Sequence, residues 1–188
     1  MKTKTLKGLF LTAILLISFT SFAQTTEDKI NKIIKLTKYL TENENNRQIY
    51  STIFTDGQIY KKKYILGIFK RKIVAGGFAE KFVLKDSLLC KLWIGEREFL
   101  KDSINASTNK VKTFIYDNER LCYYTETKHI ERKDNTKTLL YKIEYFIENE
   151  NILKTVLEGE FKLDKNEYLK KVVEISNEKI KEKNELKK

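Results

Sequence analysis

The stretches FVLKDSLLCK (Phe82 to Lys91), FIYDNERLCY (Phe114 to Tyr123) and FIENENILKT (Phe146 to Thr155) follow one another at an offset of 32 residues. Phe82, Phe114 and Phe146 align, as do Leu89, Leu121 and Leu153, and Cys90 falls opposite Cys122. Each copy has an aromatic-rich apolar run, a short polar stretch and a second apolar run, which reads as strand, tight turn and return strand. A fixed period marks a supersecondary unit used several times over. It constrains the middle of the chain to an antiparallel array of hairpins. The ten tyrosines and eleven phenylalanines suit such an array, because aromatic rings fit a half-buried pleated surface.

Around the repeats the signals are more local. Asp56-Gly57, between Ile53-Phe54 and Ile59-Tyr60, is a two-residue hairpin signal. Gly67 marks a bend or bulge, and Gly76-Gly77 a turn. The expected first strands are Phe78 to Leu84, Val111 to Tyr116 and Leu140 to Ile147. The expected returns are Leu88 to Ile94, Leu121 to Lys128 and Ile152 to Glu158, with polar loops over Gly95 to Lys110 and His129 to Thr138. Before the sheet, Thr25 and Asp28 form a capping box, and Ile30, Ile33, Ile34, Thr37 and Leu40 recur at helical spacing until Asn43 to Asn46 stop the helix. After it, Asp164 caps a second helix with Leu169, Val172, Val173 and Ile180 on one face; a strand over Val172 to Ile175 is the alternative. The tail from Ser176 is nearly all charged and is expected to fray.

The return strands carry apolar residues on both faces. In the first, Leu88, Cys90, Leu92 and Ile94 alternate with Leu89 and Trp93. A solvated one-faced sheet shows cleaner alternation. The second face is therefore expected to be partly covered by the terminal helices, leaving an open, tyrosine-bearing surface. The fold class is α+β: a helix over 24–46, an antiparallel β-meander of about seven to nine strands over 47–163, and a helix with a charged tail over 164–188.

The first residues read as a leader. Lys2, Lys4 and Lys7 precede the apolar run Leu9 to Phe19, and Ser21 and Ala23 supply a small-residue cleavage site before Gln24. The expected location is periplasmic or secreted, with no transmembrane span in the mature chain. The net charge of +11 falls to +8 without the three leader lysines. Export and the scarcity of arginine, five residues in all, argue against nucleic acid, whose specific sites favour the bidentate guanidinium.

No cofactor or metal site is expected, since two cysteines and one histidine do not supply a usual zinc set. Equivalent return strands of a meander lie about 9–10 Å apart, too far for a disulfide, so Cys90 and Cys122 read as free thiols. His129 has no nucleophile beside it. Glu96 with Glu98, or Glu126 with Glu144, are the carboxylate pairs that a hydrolase would need across a cleft. The densest feature is basic and aromatic: Tyr60, Lys61, Lys62, Lys63 and Tyr64, then Phe69, Lys70, Arg71 and Lys72, with no acid from Gly57 to Ala79. On paired strands it makes a positive patch for anionic lipid, acidic polysaccharide or an acidic protein face. Its other reading is a charged edge that blocks aggregation.

The turn sequences Lys85-Asp86-Ser87-Leu88, Asp117-Asn118-Glu119-Arg120 and Glu148-Asn149-Glu150-Asn151, each entering a Leu- or Ile-led β-run, resemble those of small exported bacterial proteins with repeated β-hairpins. The resemblance covers Ala79 to Glu158, though the turn glycines of that family are missing here. It implies the hairpin fold and brings no catalytic residues. The function expected is a non-enzymatic binding or protein-interaction module of the bacterial envelope, with an unknown protein or an anionic envelope component as partner. A periplasmic hydrolase with a carboxylate- or His-based site is the alternative.

Overall fold

The three turns organise the sheet. Asp86 and Ser87, Asn118 and Glu119, and Asn149 and Glu150 all have positive φ, between 48° and 71°. Two consecutive left-handed residues give the turn whose twist matches the flanking strands, so each pair closes a tight hairpin. The computed structural model describes residues 25–65, 69–100 and 105–186, with side chains described outside 62–71. The expected leader over 1–23 and the expected bend at Gly67 lie outside the described residues.

Helix α1 (25–43) precedes seven strands. These are β1 (Ser51–Ile65), β2 (Phe69–Lys85), β3 (Leu88–Phe99), β4 (Ala106–Asp117), β5 (Arg120–Arg132), β6 (Lys137–Glu148) and β7 (Asn151–Gly159), and helix α2 (Lys165–Glu185) closes the chain. All seven strands pair antiparallel in sequence order. The fold is α+β, as expected, with an antiparallel meander between an N-terminal and a C-terminal helix. Asp164 caps α2 by accepting from the amides of Asn166 and Glu167, and the helix runs to Glu185. The strand alternative at Val172 is thereby excluded, and the charged tail continues the helix.

The strands are longer than expected, and two glycine signals act differently. β1 runs unbroken through Asp56-Gly57, opposite Ala79 and Phe78. A Cβ on Gly57 would lie 2.7 Å from a ring carbon of Phe78, so the glycine makes room for a cross-strand ring instead of turning the chain. β2 likewise passes through Gly76-Gly77, and a Cβ on Gly76 would fall 1.9 Å from the Arg97 carbonyl oxygen. That glycine permits close backbone approach beside the register shift at Ile59/Tyr60.

Each repeated hairpin carries a bulge just past its turn. Register shifts fall at Val83/Leu84, Ile115/Tyr116 and Phe146/Ile147, leaving Cys90, Cys122 and Leu153 without a one-to-one partner. An extra residue moves everything beyond it to the other face. Leu89 therefore lies with Leu92 and Ile94 in one core cluster, while Cys90 packs in the other. The turns also show that the structural spacing is 32 residues and then 31, from Asp86 to Asn118 to Asn149. Phe146 is thus no structural counterpart of Phe82 and Phe114; Tyr145 takes that place, and Phe146 faces the opposite way.

Two cores result, one on each face. Ile53, Phe82, Leu92, Phe114, Tyr124 and Tyr145 form a continuous cross-strand row under α2. Leu169 and Val172 of α2 close it, with Tyr168, Val173 and Ile180 at its margin. On the opposite face Val83, Ile115, Tyr123 and Phe146 pack against Ile33 and Leu40 of α1 and against Tyr50. Ile34, expected on the buried side, is 46% exposed, and Leu36 packs in its stead. The helices therefore cover one face each, both over the half of the sheet that ends in the three tight turns. Among the described residues no element covers the other half.

Candidate functional site

The β1–β2 hairpin outruns its neighbour. β3 pairs with β2 only from Gly76 to Lys85, so Tyr60–Ile65 and Phe69–Val74 bond only to one another. They make a two-stranded arm beyond the body of the sheet. The expected basic patch maps wholly onto it: Tyr60, Lys61, Lys62, Lys63 and Tyr64 on β1, and Lys70, Arg71 and Lys72 on β2. Lys62 stands opposite Lys72, and Lys63 opposite Arg71. Like charges at opposed positions destabilise a ladder by a few tenths to about 1 kcal/mol per pair. At the root of the arm Lys61 Nζ reaches Glu98 at 2.7 Å, and the Tyr60 hydroxyl donates to Gln58 at 2.6 Å. Lys72 is exposed.

Beside that root, on the α1 face, lies an open groove of about 650 Å³. Trp93 and Val111 stand half-buried in it and Phe54, 62% exposed, flanks them. Gly77, Ala79 and Gly95 keep the groove low between them. A Cβ on Gly95 would come within 2.4 Å of the Trp93 ring, so the indole lies down along β3 over that glycine. Asp56, Arg97, Asn109 and His129 supply polar groups around it. The sequence expectation of an open tyrosine-bearing face is corrected here. Tyr116, Tyr124 and Tyr145 are buried under α2, because the bulges phase them there, and the open face carries the chain's single tryptophan.

The densest buried chemistry was missed from the sequence. Glu126 has no solvent exposure and accepts from three tyrosines: Tyr124 and Tyr168 on Oε2, each at 2.5 Å, and Tyr141 on Oε1. Burial, then the adjacent carboxylate, holds the hydroxyl of Tyr124 well above the ordinary tyrosine range. Tyr141 and Tyr168 are pushed up in the same direction, again first by burial and then by Glu126. The available signal was an acid in phase with core aromatics in Tyr124-Thr125-Glu126. The arrangement ties α2 to β5 and β6, with all three hydroxyls committed to one carboxylate.

The proposed pair of Glu126 with Glu144 does not assemble. Glu126 pairs in register with Ile143, and Glu144 with Thr125, so the two acids project from opposite faces. Glu144 accepts from the Tyr123 hydroxyl at 3.0 Å and meets Lys142 at 2.8 Å. Glu96 is gripped by Lys112 at 2.8 Å and Lys110 at 3.6 Å. Burial raises its carboxyl, but these two ammonium groups outweigh that and bring it below the usual range. Glu98 is held by Lys61. A general acid needs a raised value, and Glu96 moves the other way.

Both cysteines are free, with Cys122 buried and Cys90 partly so. Burial pushes the Cys122 thiol up to about 12, and it raises Cys90 as well, so neither is a ready thiolate. His129 sits at the rim of the groove. Among the described residues no group of three His, Cys, Asp or Glu side chains is arranged to hold a metal ion, and no helix is long and apolar enough to cross a membrane. Compared with protein-family models, curated proteins and solved structures, the chain matches none.

Proposed function

We propose that this chain is an exported, non-enzymatic binding module of the bacterial envelope, and that the basic β1–β2 arm is where it meets an anionic partner. The observation that carries the reading is the reach of the arm past β3 with six cations and no acid between Lys61 and Lys72. Several lysines outside the arm meet acids, as Lys61 at its root meets Glu98. Lys81 and Lys91 meet Glu44, Lys110 and Lys112 meet Glu96, and Lys179 meets Glu80 and Glu182. A guard against edge pairing explains lysines along β1. It does not call for like-charged residues at opposed positions on both strands. A partner rich in carboxylate or phosphate groups offsets that repulsion and draws the module in from a distance by its field.

The test is retention of the purified protein on anionic vesicles, on immobilised acidic polysaccharide and on envelope extract, at low and high salt. The expected result is retention on an anionic phase that falls about tenfold or more as salt screens the arm. Replacing Lys62, Lys63, Arg71 and Lys72 together by Ser should abolish it. Equal retention of the wild type and the Ser variant on every phase would sink the proposal.

A further inference from the structure

We propose that the Trp93 groove is a subsite for the sugar rings of an acidic polysaccharide, whose carboxylates are then held by the arm. This rests on the reading of the arm as the anionic contact and names the ligand class for the same surface. The outer end of the indole reaches along β3 over Gly95, since a Cβ there would fall 2.4 Å from Cη2 and 2.9 Å from Cζ2. Trp93 is half-buried, so part of its indole is open to the groove. A flat aromatic face suits the C–H face of a pyranose, which is apolar, while the hydroxyls of the same ring point outward to polar partners. Asp56, Arg97, Asn109 and His129 line the same groove beside the indole; Arg97 gives its Nε–H to Ser107 and Asn109 its amide to Glu131, which leaves the Arg97 terminal N–H groups, the Asp56 carboxylate and the His129 imidazole for a ligand.

The shape agrees with this ligand. Gly77, Ala79 and Gly95 leave a low floor between β2 and β3, and about 650 Å³ accommodates a ligand of a few rings. Alternative occupants fit less well. An acyl chain would strip water from the polar rim and return no hydrogen bonds. The groove carries an acid and a base in Asp56 and Arg97, so it has no strong sign of its own. Charge selection falls to the arm, which leaves the sheet beside Gly77. A polymer with alternating ring faces and carboxylates meets both features at once.

Trp93 is the chain's only tryptophan, so its emission reports the groove directly. The experiment titrates the purified protein with oligogalacturonate, oligoguluronate and a heparin-derived oligosaccharide, with cellohexaose as the neutral control. Calorimetry follows the variants, and folding of each is checked by circular dichroism. A saturable emission change with at least one acidic oligosaccharide is expected. Its affinity should fall about tenfold or more in Trp93→Ala, return to within a few-fold in Trp93→Tyr, and also fall in Gly95→Ala, whose new methyl lifts the indole. The inference is overturned if none of the three acidic oligosaccharides binds, if cellohexaose binds as tightly, or if only an apolar peptide or a decyl glycoside changes the emission. Binding unchanged by Trp93→Ala but abolished by the arm Ser variant also overturns it, and leaves the arm as the contact. Binding lost in Trp93→Ala but intact in the Ser variant overturns the coupling to the arm instead.

Discussion

Glu150 and Glu119 hold equivalent turn positions at φ 64° and 61°, where a side chain other than glycine is disfavoured by about 1 kcal/mol. Their surroundings differ, and so should their variants. Glu150 is exposed, so Glu150→Gly is expected to raise stability by about 0.5–1 kcal/mol, seen as a higher denaturation midpoint at unchanged slope. The Glu119 carboxylate accepts from the buried Lys183 and from the amide of Leu89 at 3.3 Å. Glu119→Gly should therefore destabilise, because Lys183, 2% exposed, loses its acid. Glu126 is the strongest case of this kind. Removing the acceptor leaves the hydroxyls of Tyr124, Tyr141 and Tyr168 to find others, so Glu126→Ala should cost about 3 kcal/mol or more in chemical denaturation. A loss below about 1 kcal/mol would show that the three bonds contribute little net stability.

At the scale of elements, the junction of α1 with the sheet is electrostatic as well as apolar. Glu44, just past the helix, meets Lys91 at 2.5 Å and Lys81 at 3.1 Å. Burial raises its carboxyl, yet the two lysines outweigh it and hold the value below the usual range. A carboxyl depressed in the folded state adds stability above its unfolded value and loses it as pH falls through the folded one. Acidification should therefore destabilise the wild type more steeply than Glu44→Gln, with the two curves converging at the acid end; parallel curves would show the pair to be inert. The elements themselves were largely legible. The polar four-residue turns, the Asp164 cap and the helical spacing of Leu169 and Val172 each carry their cause in local residues. The phase within the hairpins was not, because a bulge is set by register between strands and leaves no mark in apolarity. Cys90, Cys122 and Leu153 look like ordinary strand residues, yet they decide that Leu89 and Leu92 share a face. Asp56-Gly57 misled for a related reason: the space that Gly57 leaves is filled by the Phe78 ring across the ladder. For the site, the arm residues were legible from charge, whereas the groove depends on a tryptophan lying over a glycine and was not.

Taken together, the described residues form a sheet clamped at one end and uncovered by any of them at the other. Between the helices, the row from Phe82 through Leu92, Phe114 and Tyr124 to Tyr145 is almost fully shielded from water, and its backbone bonds are paired on both sides. At the opposite end the arm has one partner strand per strand and no covering layer among the described residues. An isolated two-stranded hairpin is marginal in water, and opposed cations weaken this one further. Local opening free energies should consequently grade along the strands, from near zero in Tyr60–Ile65 and Phe69–Val74 to the global value in the clamped row. Native-state hydrogen exchange reads this residue by residue. It also separates the two roles of the arm. If an anionic ligand engages it, exchange in the arm and around Trp93 should slow on ligand addition while the clamped row keeps its rates. If the cations only guard an edge, the same ligand leaves every amide where it was.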